Sequence, residues 1–155
     1  MGKGFAVDKV AEYFKSKGIT KAVIAASGDI RCIGSCQIKI QNPHAETFLI
    51  DFETLKNDTG VSTSGNYNRY VGTTKHNHLI DPKLKKSAQN FISVTLVSQM
   101  PSSDLDAYAT AVSVMPKEKA YSFLERLPVA YILLETEGKL QVSENLNRFV
   151  KNIKF

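Results

Sequence analysis

Apolar residues near the start of the chain fall at Phe5, Ala6, Val10, Tyr13 and Phe14. This i, i+4, i+8 stripe predicts an amphipathic helix from Phe5 to Lys17, with Gly18 as its C-terminal stop. The period then shortens. Lys21 to Ala26 reads as a small-residue strand leading into Ser27-Gly28-Asp29. Ile30 to Ile33 and Cys36 to Ile40 alternate apolar with polar residues, as half-buried strands do, and Gly34-Ser35 joins them. Asn42-Pro43 ends the second, and Thr47 to Phe52 is a third.

Asn57 to Gly60 turns the chain into Val61-Ser62-Thr63-Ser64, a run of β propensity that meets Gly65-Asn66. That pair favours a tight turn with positive φ. Tyr67 to Val71 reads as a returning strand, Gly72 to Lys75 as a second turn and Asn77 to Ile80 as a short strand. Pro82 ends it, since proline has no N–H for a ladder. Phe91 to Val97 alternates in strand fashion, and Pro101-Ser102-Ser103 starts a helix from Asp104 to Met115. Pro116 opens another through Leu127, Tyr131–Glu135 and Lys139–Val142 form a hairpin, and a short helix begins at Glu144. These elements predict an α+β fold, one largely antiparallel sheet with packed helices, in a single domain over residues 1–155.

Composition narrows the classes of partner. A chain of 155 residues suits one domain that buries roughly 70% of its unfolded surface. The net charge of +5 is modest and its lysines are scattered, apart from Lys83, Lys85 and Lys86. That argues against nucleic acid, and suits the phosphates of a dinucleotide equally well. No apolar run approaches the ~20 residues that span a bilayer. The first residues lack the pattern of a secretory signal, so a cytoplasmic location is the default expectation. Cys32 and Cys36 are spaced too loosely for a redox pair, and no further cysteine exists to build a zinc site. Two partly buried free thiols are expected.

Candidate chemistry gathers at three places. Asp106 and Thr110 lie four apart, so a helix puts their oxygens on one face. A carboxylate and a hydroxyl are hard ligands suited to Mg²⁺, which completes its octahedron with waters and phosphate oxygens. The spacing Ser103-x-x-Asp106 also fits a capping-box-like helix start, with Thr110 then a plain helix residue. His78 has an imidazole's proton-transfer range near neutral pH, with Asp81 three residues on, though a strand histidine is equally a packing residue. His76 shares a face with His78. Ser27-Gly28-Asp29 offers N–H groups and a carboxylate in what is otherwise an ordinary turn, and Lys3 offers a cation.

Four ordered segments carry a family resemblance. Ser64-Gly65-Asn66-Tyr67 with His78-Leu79-Ile80-Asp81-Pro82 is similar to signatures of the ApbE family, the FAD:protein FMN transferases once called thiamine biosynthesis lipoproteins. Lys3-Gly4-Phe5-Ala6-Val7-Asp8 resembles that family's helix start. Ala26-Ser27-Gly28-Asp29-Ile30-Arg31 resembles its Ala-Gly-Gly-Asp-Ile-Arg turn, and Asp106-Ala107-Tyr108-Ala109-Thr110-Ala111 its later helix. The resemblance covers the later half of the usual family sequence, so a chain lacking the family's N-terminal region is expected.

The resemblance implies Mg²⁺ at Asp106, Thr110 and a main-chain carbonyl at Gly2, with FAD as substrate. It implies flavin nucleotide contacts at Lys3, Ser27, Gly28, Asp29, Ser64 and Tyr67, and an active cleft with His78 and Asp81. FAD would be cleaved at its pyrophosphate, FMN passed to a serine or threonine hydroxyl of a target protein, and AMP released. Two departures stand out: Ser27 replaces the turn's first glycine, and Lys83-Leu84-Lys85 follows Pro82 where relatives have x-Thr-Gly. Alternatives are a half-length flavin or nucleotide binder that transfers nothing, a subunit needing a partner chain or a second copy, and a structural domain without a ligand.

Overall fold

The computed structural model describes residues 2–55, 57–67 and 70–155. Helix α1 spans Gly2–Ser16 and is followed by strands β1 (Ala22–Ala26), β2 (Asp29–Ile33), β3 (Gln37–Gln41), β4 (Phe48–Thr54) and β5 (Thr59–Gly65). Short strands β6 (Tyr70–Val71), β7 (Thr73–Asn77), β8 (Ile80–Asp81) and β9 (Lys86–Ser87) precede the long β10 (Phe91–Ser98). Helices α2 (Ser102–Val114) and α3 (Lys117–Leu124) come next, then β11 (Ala130–Glu135), β12 (Leu140–Val142) and β13 (Val150–Lys154). Among the described residues no helix is long and apolar enough to cross a membrane.

The α+β class holds, with antiparallel pairing throughout. The expected single sheet is instead divided. A six-stranded sheet runs β1-β2-β5-β10-β11-β12, while β3 and β4 leave it and pair with β13 in a three-stranded sheet. Two-stranded pairs β6-β7 and β8-β9 complete the strands. The alternation in β3, with Ile38 and Ile40 buried between exposed neighbours, shows one covered face but not which layer covers it. β13 follows a short 3-10 helix, Glu144–Arg148, and adds a strand beyond the helix expected from Glu144.

The six-stranded sheet is covered on both sides. One side packs Val94, Leu96 and Leu133 against Leu105, Ala109, Val112 and Leu124 of the helices. The other packs Val61, Val97 and Ile132 against Ile38, Ile40, Ile50 and Phe52 of the smaller sheet. β10 is therefore buried at every position, where alternation alone predicts a strand wet on one face. A register irregularity between Phe91 and Ser93 changes its parity, so Phe91 joins the helix side along with Val94 and Leu96. Cys32 and Cys36 lie inside the interlayer core, more deeply than expected, and burial pushes both thiols up.

α1 departs most from its sequence pattern. Its buried positions are Gly4, Val7 and Ala11, whereas Phe5, Val10 and Tyr13 are 56%, 40% and 59% exposed. The cause is a close crossing with α2. A Cβ on Gly4 would fall 2.2 Å from the Ser102 carbonyl oxygen, so only glycine fits at that contact, while Val7 and Ala11 pack on Ile24 and Ile33 with Phe14 beside them, and the rest of the bulky stripe turns outward. Asp8 completes the joint. Its two carboxylate oxygens accept the Ser102 and Ser103 amides at 2.9 and 3.0 Å, capping α2 from another helix. α2 makes no side-chain cap of its own, which removes the capping-box reading of Ser103 and Asp106.

Turn chemistry differs too. Neither Gly65 nor Asn66 has positive φ. Asn66 is instead buried on β10, its amide donating to Ile92 O and its Nδ2 to Phe91 O. The positive φ lies at Gly72, between β6 and β7. Of the strand expected over Tyr67 to Val71, Asn68 and Arg69 lie outside the described residues. The strand expected over Asn77 to Ile80 is divided between β7 and β8, and Pro82 sits in the turn of the β8-β9 hairpin.

Gly4→Ala should lower stability by about 1–3 kcal/mol, because helix backbone cannot retreat as a flexible side chain can. Thermal melts that match wild type would show that the crossing tolerates separation. A second expectation follows from Arg31, a buried cation whose Nε donates to Asp58 at 2.8 Å and whose Nη1 and Nη2 donate to Met100 O and Gln99 O. Burial opposes the ionisation of Asp58, but Arg31 and Lys15 outweigh it and hold the carboxyl below its usual range. A depressed folded pKa gives stability that is complete above the unfolded value, ~4, and is lost as pH falls through the folded one. Asp58→Asn keeps the positive φ that asparagine tolerates. It should cost about 2 kcal/mol at neutral pH, with the deficit closing in urea melts only as pH falls below the ordinary carboxylate range.

Candidate functional site

A cleft of about 610 Å³ opens where the β1-β2 turn, the end of β5 and the starts of α1 and α2 meet. Ser27 and Gly28, Ser64 and Tyr67, Lys3, and Asp106 and Thr110 all line it, together with His78. Five separate segments of chain thus converge on one space.

At the β1-β2 turn, Ser27 takes φ 58°, the left-handed conformation that a glycine adopts without strain. Gly28 does not need positive φ. It needs proximity, because a Cβ there would lie 2.4 Å from Thr63 O, and Gly28 O accepts the Thr63 amide at 2.8 Å. Asp29, predicted to contact ligand, is 1% exposed beneath the surface. Its carboxylate accepts Lys3 Nζ at 2.6 Å and Ser62 Oγ at 2.5 Å. Asp29 therefore orients Lys3 and does not line the cleft.

On α2, Thr110 Oγ1 donates to Asp106 O at 2.9 Å and lies 3.2 Å from Ser64 Oγ. Asp106 is 5% exposed, and its carboxylate accepts the Gly4 amide at 3.2 Å. Burial works against its ionisation but is outweighed by the donors and positive groups around it, among them the Gly4 amide and Lys3, so the carboxyl sits below its usual range. Tyr67 packs its ring over Gly65, where a Cβ would be 2.5 Å from Cε1, and burial pushes its phenol up.

His78 follows Asn77, whose buried side chain fixes the local backbone by donating to Ala88 O and accepting the Leu79 amide. His76 is exposed and outside the cleft wall. Asp81, predicted to share the cleft, does not. Its Oδ1 accepts the amides of Lys83 and Leu84 at 2.8 and 3.2 Å, an Asx-type turn that shapes the β8-β9 hairpin. Gly2 opens α1 one residue before Lys3, exposed and outside the wall.

The sequence reading missed the third wall. Lys39, Ile40 and Gln41 of β3 reach the cleft from the smaller sheet, and Lys39 Nζ sits 4.6 Å from the Phe48 ring centroid. Only their alternation was visible, and alternation does not reveal a neighbour in another layer.

The donor set bears on a metal. Among the described residues no group of three His, Cys, Asp or Glu side chains could hold one. Asp106 nonetheless brings a carboxylate held below its usual range to the same cleft as the paired hydroxyls of Thr110 and Ser64, all hard oxygens. One carboxylate and two hydroxyls suit Mg²⁺ when phosphate oxygens complete the shell, and do not suit a soft metal.

The model of the ApbE family matches residues 1–133. An FAD:protein FMN transferase of Vibrio cholerae serotype O1 is 27% identical over 148 residues, covering 89% of this chain and 44% of the relative. The enzyme of that name from Escherichia coli K12 is 26% identical over 147 residues, 89% of this chain and 42% of its own. The chain thus spans less than half the length of these curated relatives. In structure, the ApbE protein of Thermotoga maritima superposes with TM-score 0.84 at 23% identity, over 97% of this chain and 52% of that one. The flavin transferase ApbE of Vibrio cholerae gives 0.76 at 26%, over 95% and 50%. With 133 matched residues that include the Lys3, Asp29, Ser64, His78 and Asp106 segments, the chain belongs to the ApbE family.

Proposed function

We propose that the cleft binds the diphosphate and flavin of FAD and serves FMN transfer to a serine or threonine hydroxyl of a target protein. The observation that carries this reading is the convergence of Lys3, Ser27, Gly28, Ser64, Tyr67, His78, Asp106 and Thr110 on one space. The names of the relatives supply the substrate class at the family level.

The residues divide the work by their chemistry. Lys3, held by Asp29, supplies a fixed positive charge for a phosphate. Tyr67 presents an aromatic face suited to stacking against a flavin. His78 takes the proton of the acceptor hydroxyl as that oxygen bonds to the FMN phosphorus and the bond to the AMP phosphate breaks. Asp106 and Thr110, with Ser64 beside Thr110, are the residues that would hold Mg²⁺. When bound, that ion neutralises charge on the diphosphate. The ordering of Lys3 and Asp106 before substrate arrives is preorganisation, which costs nothing at the moment of reaction.

A second reading, a flavin nucleotide binder that acts with a partner chain or a second copy, is favoured by the outward stripe of Phe5, Val10 and Tyr13 on α1. One experiment separates the two. The purified chain is incubated with FAD, Mg²⁺ and a candidate acceptor, and flavin fluorescence is sought on the acceptor in a denaturing gel. Labelled acceptor with AMP release supports transfer. FAD binding without label supports the second reading, and no FAD binding sinks both.

Asp106→Asn should abolish Mg²⁺-dependent FAD binding, read by quenching of flavin fluorescence, while the fold persists. His78→Gln should leave FAD affinity unchanged and slow transfer about 10²-fold or more, the contribution expected of a general base. A variant at His78 that transfers at the wild-type rate would remove the proton-transfer role.

A further inference from the structure

We infer that a second depression, across α2 from the cleft, seats the acceptor polypeptide as an extended segment with an apolar anchor flanked by acidic residues. The inference rests on the transferase reading. The depression has a volume of about 750 Å³ and lies between the β8-β9 hairpin and the α2-α3 corner. Its floor is apolar, built from Val114, Met115 and Phe123, with Pro82 and Leu84 contributed by the hairpin. Leu84 is 68% exposed, an arrangement with a transfer cost unless another apolar group covers it.

The rim is cationic. Lys83, Lys119 and Arg126 stand around it, and Lys85 and Lys86 follow on the same hairpin. The carboxylates that face them are Glu118 and Asp81, and Asp81 is engaged by the amides of its own turn. An acidic segment is complementary to such a rim, and its attraction acts on encounter as well as on affinity.

Position identifies the occupant. Thr110 lines the cleft and Ala111, the next residue of α2, lines the depression. His78 and Leu79 line the cleft, and Asp81 and Pro82 the depression. Helix α2 and the stretch from His78 to Pro82 thus border both spaces. Extended chain advances about 3.4 Å per residue, so a few residues carry an acceptor hydroxyl from an anchor in the depression to the cleft. A concave site also suits an inserted side chain, whereas binding to a bilayer calls for an apolar face that protrudes.

The test selects a displayed library of random dodecapeptides on the full chain and counter-selects on the double variant Lys119→Glu, Arg126→Glu. Both side chains are exposed, and neither lines the cleft. Enriched peptides should carry aspartate or glutamate beside leucine, methionine or phenylalanine. They should bind the double variant about tenfold more weakly and lose affinity with added salt. Leu84→Asp, on the exposed hairpin, should weaken them as well. FAD affinity of all variants should equal that of wild type. No enrichment, enrichment of basic sequences, or equal binding to the variants overturns the inference, while intact FAD binding leaves the transferase reading standing. Dodecanoate binding in the depression with no peptide enriched would assign it to a lipid anion and overturn the inference too. Peptide enrichment by a chain that binds no FAD would sink the transferase reading and the peptide's role as acceptor together.

Discussion

The close crossing of α1 on α2 is the constraint from which the site follows. Gly4 lets the two helix starts approach to the point where a methyl group would collide with the Ser102 carbonyl. Asp8 then reaches across and takes the amides that open α2. A helix begins with N–H groups that have no partner in their own helix. Here another helix supplies one, so the order of α2 depends on the docking of α1. Arg31 binds the same region from the sheet side through the carbonyls of Gln99 and Met100.

This joint delivers two of the polar groups that define the cleft. With Gly4 in place, its amide meets Asp106, and Lys3, one residue earlier, reaches Asp29 under the β1-β2 turn. The segments that carry the family resemblance therefore bond to one another. Lys3-Gly4 grips the Asp29 turn and the Asp106 helix, and Ser64 of β5 meets Thr110 of α2. Several of these residues serve the architecture and the cleft at once. Asp29 and Asp8 serve it from beneath, by placing side chains or backbone that do face the opening.

Much of this was legible in the chain. The β-strand alternation of Ile38 and Ile40 and the Asp106–Thr110 spacing each report a local geometry that the fold retains, and Ser64 and Tyr67 reach the cleft although the turn expected at Gly65-Asn66 does not form. Local pattern failed where a distant partner decided the outcome. The Phe5, Val10 and Tyr13 stripe looks like a core face, yet the contact of Gly4 with α2 turns the helix so that Val7 and Ala11 pack on Ile24 and Ile33 of the sheet instead. β3 and β4 look like members of the main sheet until β13, from the chain's far end, pairs with β4. Asp81 has the residue type for acid–base work, and its own turn claims it. Lys39 and Gln41 belong to the cleft only because a second layer lies beside it.

The two cysteines turn the interlayer core into a clock. Cys32 on β2 and Cys36 at the entry to β3 straddle the boundary between the two sheets, Cys32 with no exposed surface and Cys36 with 5%. A thiol reagent in solution attacks the thiolate, which burial suppresses at both positions. Alkylation of Cys32 therefore requires the layers to part. The chain carries its own probe of how often the smaller sheet lifts, and with it the wall that Lys39 and Gln41 lend to the cleft.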